Sequence, residues 1–265
     1  MAVINQLGQR LVSGFLFWFH ARGRRGHGIH SPFVFHLVTE VLNNKEHAAA
    51  ELRNIEKIRK QLAGDKRTIT HQDLGAGNWP QHIRIKDVVK KSVSPPKKLQ
   101  VLYQLAHYLQ PVSVIELGTS LGLSALTFAR ACPESRIITV EGSPSLALLA
   151  EENFKKLGVN TIDLRIADFD CILSEIVSTL SSPFLVYIDG NHRYRATVSY
   201  FNAFAERLDT RSCIIIDDIH WSGGMEKAWQ EICLHSRSTF CLDFFDFGII
   251  FYRENTAKTH YCLRY

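Results

Sequence analysis

Apolar and polar positions follow two different rhythms along this chain, and the rhythm changes near residue 95. Before it, apolar residues recur at helical spacing between polar, glycine-containing segments. After it, short apolar runs of strand length alternate with amphipathic helical stretches, which is typical of a parallel sheet flanked by helices. We therefore predict a helical N-terminal extension over residues 1–95 and an α/β domain over residues 96–265.

The second part predicts a Rossmann-like α/β sheet of seven strands. Its closing run, STFCLDFFDFGIIFYR, predicts a hairpin that adds one antiparallel strand to an otherwise parallel sheet. The predicted single strands are 112–117, 136–141, 161–166, 183–188 and 212–217, and the predicted helices are 97–109, 121–132, 144–157, 170–180, 194–208 and 223–235.

The extension predicts three helices, over about residues 3–20, 32–43 and 46–63. Ser31 is a suitable N-cap and Pro32 suits the first helical turn. The segment DLGAGNWP and the break SVSPPKK follow the third helix. We expect DLGAGNWP to be a loop over the active site that supplies Trp79 or His82, or else a plain surface turn. The same two interpretations apply to His30 and Phe33.

A glycine turn follows the first strand of the α/β domain, in VIELGTSLGLSAL. Gly118 allows a sharp turn at the strand end, and we expect Gly122 to admit a ligand where the next helix begins. The second strand ends in Glu141, which is placed to bind a ribose. Because the spacing G-x-x-x-G differs from G-x-G-x-x-G, the turn favours a nucleoside ligand without a pyrophosphate, and S-adenosylmethionine is the commonest.

Each of the five predicted parallel strands ends in a carboxylate: Glu116, Glu141, Asp168, Asp189 and the pair Asp217–Asp218. Ligands of open α/β sheets bind beyond the carboxyl ends of the strands, so we expect these acids to surround a site. The predicted cofactor-binding residues in the first half of the domain are Glu116, Gly118, Thr119, Ser120, Gly122, Ser124, Glu141, Gly142 and Asp168.

The acids among these residues have distinct predicted roles, and two of them also have a structural alternative. Glu141 would accept hydrogen bonds from the ribose, or be a surface turn acid. Asp168 would meet the adenine amino group, or merely cap the next helix. Glu116 and the loop from Thr119 to Ser124 would hold the methionine end.

A second group of residues predicts a metal and a base. Asp189, Asp217 and Asp218 would repel one another without a cation, and their oxygens suit Mg²⁺ or Ca²⁺. The alternative is that no ion binds and one aspartate caps a helix or contacts the cofactor amine. His192 is the candidate catalytic base for a hydroxyl group, although a lone histidine is also commonly structural.

The motifs ELGTSLGLSAL, ITVEG, VYIDGNHRY and IIIDDIHWSGGM occur in order. Together they resemble the class I S-adenosylmethionine-dependent methyltransferases, and within them the catechol O-methyltransferase-like group. The resemblance covers about residues 97–253. It implies that Asp189 lies near both the methionine and a metal, and that Asp217 and Asp218 are further metal ligands. Two positions depart from the group, which frequently has lysine at His192 and asparagine at Asp218.

The composition is that of a globular chain. It has 265 residues, of which 46% are hydrophobic and 22% charged, and its net charge is +5. The six cysteines form no C-x-x-C pair, which argues for a reducing, cytoplasmic location and against a zinc site or a disulfide framework. The basic run HARGRRGHGIH, beside the apolar run LVSGFLFWF, would touch anionic lipid or nucleic acid, or be a solvated turn.

The sequence therefore predicts transfer of a methyl group from S-adenosylmethionine to a hydroxyl oxygen of a small molecule, with Mg²⁺ as an optional cofactor. Three alternatives stay open: an RNA substrate, which the few basic residues disfavour, a lipid-linked substrate reached through membrane contact of residues 11–25, and a non-catalytic cofactor-binding module. The aromatic residues at 15, 17, 18 and 19 would form a homodimer surface if they do not cover the core.

Overall fold

The computed structural model describes Gly14, Phe17, Ala21 and residues 28–71 and 80–264, except for the side chains of residues 45–47. The helix predicted over residues 3–20 lies outside this part, apart from Gly14 and Phe17, which are both helical. Most of the basic run, the segment 72–79 and Trp79 also lie outside it.

Helices and strands alternate through most of the described chain, as predicted. The helices are α1 (Pro32–His36), which continues as a π-helix (Leu37–Val41), α2 (Lys45–Glu51), α3 (Arg53–Gly64), α4 (Ile85–Ser92), α5 (Pro96–Leu109), α6 (Leu123–Ala131), α7 (Pro144–Lys156), α8 (Phe169–Ser178), α9 (Tyr194–Ala205) and α10 (Gly223–Leu234). The strands are β1 (Thr68–Thr70), β2 (His82–Arg84), β3 (Ser113–Leu117), β4 (Arg136–Glu141), β5 (Ile162–Ile166), β6 (Phe184–Ile188), β7 (Cys213–Asp217), β8 (Phe240–Asp243), β9 (Phe247–Phe251) and β10 (Thr259–Cys262).

The described strands form a two-stranded sheet, β1-β2, and an eight-stranded sheet in the order β10-β8-β9-β7-β6-β3-β4-β5. The predicted α/β class is confirmed, but the prediction of seven strands is wrong. The additional strand is β10, which pairs in parallel with β8. The predicted hairpin is present, because β9 runs antiparallel to both β8 and β7.

The chain divides into two compact units, one of residues 44–184 and one of residues 1–43 and 185–265. The domain boundary expected near residue 95 stays a prediction. In the first unit β4 pairs in parallel with β3 and β5. Every residue of β3 is buried, whereas β5 is partly exposed. A continuous apolar strand such as β3 is what burial on both faces requires.

In the second unit β6 and β7 pair in parallel, and every residue of both strands is buried. Helix α1 belongs to this unit, and Ser31 caps it by accepting a hydrogen bond from the Val34 N–H, as predicted. The ring of Phe33 packs against Phe240 and Phe251. Phe33 is therefore a packing residue within this unit.

The extension differs from its prediction in three places. The helix expected over 32–43 becomes a π-helix at Leu37–Val41, and the helix expected over 46–63 divides at Leu52. Between DLGAGNWP and SVSPPKK, where no helix is predicted, the chain forms α4. Its buried residues Ile85, Val88 and Val89 lie at helical spacing, so a short apolar face stabilises this lysine-rich helix.

Candidate functional site

The glycine turn after β3 is fixed to the end of β4 by backbone hydrogen bonds. The N–H groups of Gly118 and Thr119 both donate to the Val140 carbonyl, at 3.0 and 3.2 Å. Gly118 and Gly122 have φ angles of 113° and 78°, and Ser120 has a φ of 50°. These left-handed values explain the two glycines, because other L-residues adopt them at a cost. The protein's own backbone hydrogen bonds thus fix the shape of the turn.

Gly122 allows a close approach, but the approaching group is a side chain of the protein. A Cβ at this position would lie 2.5 Å from the Phe154 ring and 3.1 Å from the Ala150 Cβ, both on α7. Gly122 therefore has a packing role, and its expected contact with a ligand stays a prediction. It lets α7 lie directly against the turn.

Glu116 lies behind the turn and is fully buried. Its Oε2 accepts a hydrogen bond of 2.5 Å from the Thr139 hydroxyl, which in turn lies 2.6 Å from the Thr119 hydroxyl. Burial raises the pKa of Glu116 to about 7, and the hydroxyls of Ser124 and Thr139 oppose that rise. Glu116 and Thr119 thus support the turn from inside, where direct contact with a methionine group had been expected.

Glu141 closes β4 and is held by the backbone of two neighbouring loops. Its Oε2 accepts from the Ser120 N–H at 2.8 Å, and its Oε1 accepts from the Ser143 N–H at 2.9 Å. Burial raises the pKa of Glu141, while the N–H groups of Ser143, Ser120 and Gly142 counteract the rise. A carboxylate offers about four acceptor positions, so these three N–H groups leave capacity for a ribose hydroxyl. The residues present fit a nucleoside cofactor.

The helix that follows the turn provides a second feature of the same fit. No side chain caps the N-terminus of α6, which begins directly after Gly122. Uncapped N–H groups and the helix dipole favour an anion such as a carboxylate. Ser124 lies buried in this first turn, and the Ser120 hydroxyl is 2.8 Å from the Ser92 hydroxyl.

Asp168 is exposed and caps α8, accepting a hydrogen bond from the Asp170 N–H at 3.0 Å. This is the alternative role that the sequence allowed for it. Its predicted contact with adenine stays a prediction.

The second unit contains a separate group, which we name the acid–histidine cluster: Tyr187, Asp189, His192, Asp217 and Asp218. The Tyr187 hydroxyl lies 2.9 Å from Asp189 Oδ2 and 3.0 Å from Asp217 Oδ2. Asp217 and Tyr187 are almost completely buried. Tyr187 therefore links two of the predicted metal ligands. Sequence reasoning missed it, although it precedes Asp189 by two residues and so lies on the same face of the strand.

His192 joins this cluster through its Nε2 atom, which lies 3.8 Å from Asp189 Oδ1 and 3.8 Å from Asp218 Oδ2. Its Nδ1 is buried without a hydrogen-bond partner. The structure therefore brings the predicted base together with two of the predicted acids. Asp218 itself has a φ of 54°, and its N–H donates to the Asp246 carbonyl at 2.6 Å.

The predicted magnesium ligands are not arranged as a preformed metal centre. Among the described His, Cys, Asp and Glu residues, one group of three has all of its possible ligand atoms within 4.8 Å of one another. It consists of Asp243, His260 and Cys262. Asp189, Asp217 and Asp218 do not meet that criterion, and the Tyr187 hydroxyl lies within hydrogen-bond distance of two of them. The magnesium site stays a prediction, and no reaction step below depends on it.

His220 and Trp221 follow Asp218 beyond the end of β7. The ring nitrogens of His220 contact Asp243 Oδ2 at 2.8 Å and Glu226 Oε1 at 3.2 Å, and the ring stacks on Phe245. These carboxylates raise the pKa of His220 against the opposing effect of its burial, which is the largest single influence. The side chain is therefore engaged in an ion-pair network. Trp221 is exposed.

The segment DLGAGNWP lies outside the described residues except for Pro80. His82 lies on β2 and lines a cavity of about 360 Å³ together with Pro80, Arg84, Lys90 and other residues of the first unit. Its predicted contact with substrate stays a prediction, as does that of His30.

No described helix is both long and apolar enough to cross a bilayer. Membrane contact through residues 11–25 and a dimer surface there concern residues that lie mostly outside the described part.

Comparison with known proteins agrees with this geometry. Residues 115–219 match a family model described as a methyltransferase domain. A catechol O-methyltransferase of Niastella koreensis is 33% identical over 132 residues, which cover 48% of this chain and 57% of that protein. A human transmembrane O-methyltransferase is 42% identical over 64 residues, 24% of this chain and 22% of that protein. The matched segments thus span 57% of the length of the first relative and 22% of the second.

Solved structures show the same fold at low sequence identity. An O-methyltransferase from Bacillus cereus in complex with SAH has a TM-score of 0.54 at 18% identity, covering 82% of this chain and 96% of that one. The O-methyltransferase TomG from Streptomyces achromogenes, in complex with SAM, has a TM-score of 0.53 at 16% identity, covering 83% and 94%. The chain therefore has the fold of these class I methyltransferase structures, and its residues 115–219 are similar to a methyltransferase domain.

Proposed function

We propose that this protein transfers a methyl group from S-adenosylmethionine to a hydroxyl oxygen of a small molecule. The observation that carries the proposal is the buried Glu141 carboxylate, held by the N–H groups of Ser120 and Ser143 with an acceptor position to spare. Such a carboxylate at the end of the second parallel strand is suited to a ribose. The similarity to catechol O-methyltransferases supports oxygen as the acceptor atom.

Each group of residues has a part in this reaction. Glu141 would bind a ribose hydroxyl, the N-terminus of α6 with Ser124 the methionine carboxylate, and Asp168 the adenine amino group. When bound, the cofactor supplies an electrophilic methyl group on a sulfonium ion. Glu116 would act indirectly, because it positions the turn through Thr139 and Thr119.

The acid–histidine cluster would handle the acceptor hydroxyl. His192 would take its proton, and the carboxylates of Asp189 and Asp218, each with an oxygen 3.8 Å from Nε2, would stabilise the resulting imidazolium. Tyr187 keeps Asp189 and Asp217 in fixed positions. Positioning would contribute most of the rate, as for other two-substrate transfers. The proposal includes a cytoplasmic location and a small-molecule acceptor as the binding partner.

The test is calorimetric titration of S-adenosylmethionine into the wild type, Glu141→Gln and the control Glu134→Gln. Glu134 is an exposed acid of the preceding loop. The amide of Glu141→Gln would turn an N–H group toward backbone N–H groups and remove a charged acceptor. Because a hydrogen bond to a charged group contributes about 1.5–3 kcal/mol, we expect affinity to fall at least about tenfold. Glu134→Gln should bind like the wild type.

A turnover assay then separates the remaining possibilities. The wild type is incubated with S-adenosylmethionine and a panel of catechols and other hydroxylated compounds, and the demethylated cofactor is measured. Turnover that His192→Gln lowers would support the proposal. Binding without turnover on any acceptor would favour the non-catalytic alternative, and no cofactor binding would refute the proposal. Titration with MgCl₂ on the wild type and Asp217→Ala tests the magnesium prediction separately.

A further inference from the structure

We infer that Asp243, His260 and Cys262 bind a divalent cation of the zinc class where the edge strand β10 pairs with β8. Their ligand atoms, a carboxylate oxygen, an imidazole nitrogen and a thiol sulfur, all lie within 4.8 Å of one another. The inference is independent of methyl transfer, because none of these residues has a part in the function proposed above.

The register of the last strand creates this group. In the parallel pair of β10 and β8, Cys262 is the partner of Asp243, and His260 is the partner of Cys241. Residues two apart on a strand share a face, so all four side chains lie on the same side of the strand pair. A metal there would connect the final strand of the chain to its neighbour.

The donor set selects the kind of metal. Thiolate and imidazole together suit zinc, whereas Mg²⁺ prefers oxygen ligands and water. Bonds of about 2.0–2.3 Å place the ligand atoms of a tetrahedral zinc roughly 3.3–3.8 Å apart, so a closing movement of about 1 Å suffices. His260 can make this movement, since its side chain is 48% exposed, and the same exposure provides an entry path.

Asp243 already has the outer partners that orient a metal-binding carboxylate. Its Oδ1 accepts from the Phe245 N–H at 2.8 Å, and its Oδ2 lies 2.8 Å from His220 Nε2. Such outer hydrogen bonds fix the direction of a ligating group. Cys241 or a water molecule would complete a tetrahedral set. The absence of any C-x-x-C pair had argued against zinc, but here the ligands come from two strands as C-x-D and H-x-C.

The experiment is a titration of the metal-free protein with ZnCl₂ under a phosphine reductant, in competition with a chromophoric chelator. The variants are Cys262→Ser and His260→Gln, and the matched control is Cys171→Ser, an exposed cysteine on α8. Removing an outer partner of a metal site costs about 10–100-fold in affinity, so losing a direct ligand should cost at least about 100-fold. We expect one zinc per chain, with affinity reduced in both variants and unchanged in the control.

Cobalt(II) provides an independent spectroscopic readout. A thiolate-to-cobalt charge-transfer band should appear at equal intensity in the wild type and in Cys171→Ser, and lose at least half of its intensity in Cys262→Ser. If Cys262→Ser does not fold, the exposed His260 still allows the test through His260→Gln. No stoichiometric zinc binding by the wild type, or affinities of both variants within about threefold of the wild type, would overturn the inference.

Discussion

Adding a side chain at Gly122 should destabilise the fold for two physical reasons. A comparison of alanine substitutions at four glycines separates them. Gly122 combines a left-handed φ of 78° with a Cβ position 2.5 Å from the Phe154 ring. Gly158 has a similar φ of 65° but no atom within 4 Å of its Cβ position. Gly248 does not have a left-handed φ, but a Cβ there would overlap the Trp229 ring. Gly64 has neither a left-handed φ nor an atom within 4 Å of its Cβ position.

The magnitudes for alanine follow from these differences. The left-handed conformation costs an alanine about 1–2 kcal/mol, which is the whole expected loss in Gly158→Ala. Overpacking costs about 1–3 kcal/mol, which is the expected loss in Gly248→Ala. Gly122→Ala should lose about 2–5 kcal/mol, since both costs apply. Gly64→Ala, at the end of α3, should gain about 0.5 kcal/mol.

The assay is urea denaturation followed by circular dichroism and tryptophan fluorescence, which gives the free energy of unfolding of each variant. A loss in Gly122→Ala no larger than that in Gly158→Ala would refute the argument that α7 packs against the turn. A second measurement combines Phe154→Leu with each of the two glycine variants. The smaller side chain should reduce the stability loss caused by Gly122→Ala but not the loss caused by Gly158→Ala.

Two further predictions concern the buried groups Glu116 and Tyr187. The pKa of Glu116 is raised from 4.5 to about 7, so the folded chain keeps a proton that the unfolded chain releases. Stability should therefore fall as pH rises from about 4.5 to 7, by on the order of 3 kcal/mol, and Glu116→Gln should lack this fall in denaturation at both pH values. Tyr187→Phe removes the hydroxyl between Asp189 and Asp217 and should cost about 1–3 kcal/mol of stability, against little change in the control Tyr252→Phe. Equal losses in the two tyrosine variants would contradict a linking role for Tyr187.

The acids at the strand ends show how far sequence reasoning reaches for the candidate site. The position of Glu141 at the end of a buried strand predicted that it binds a ribose, and the structure shows its carboxylate bonded to the glycine turn. The same argument placed Glu116 at the ligand, whereas its side chain points into the core toward Thr139. Position at a strand end is a local property, but the direction of the side chain also depends on which residue of the neighbouring strand it meets.

The sequence by itself determined the alternation of strands and helices, the turn at Gly118 and the hairpin of β8 and β9, because hydrophobic period and turn chemistry act over a few neighbouring residues. Only the tertiary structure decided the pairing of β10 with β8, and with it the meeting of Asp243, His260 and Cys262. The short strand β10 has a weak pattern of its own. Its place depends on backbone hydrogen bonds offered by an edge elsewhere in the sheet, which no local pattern encodes.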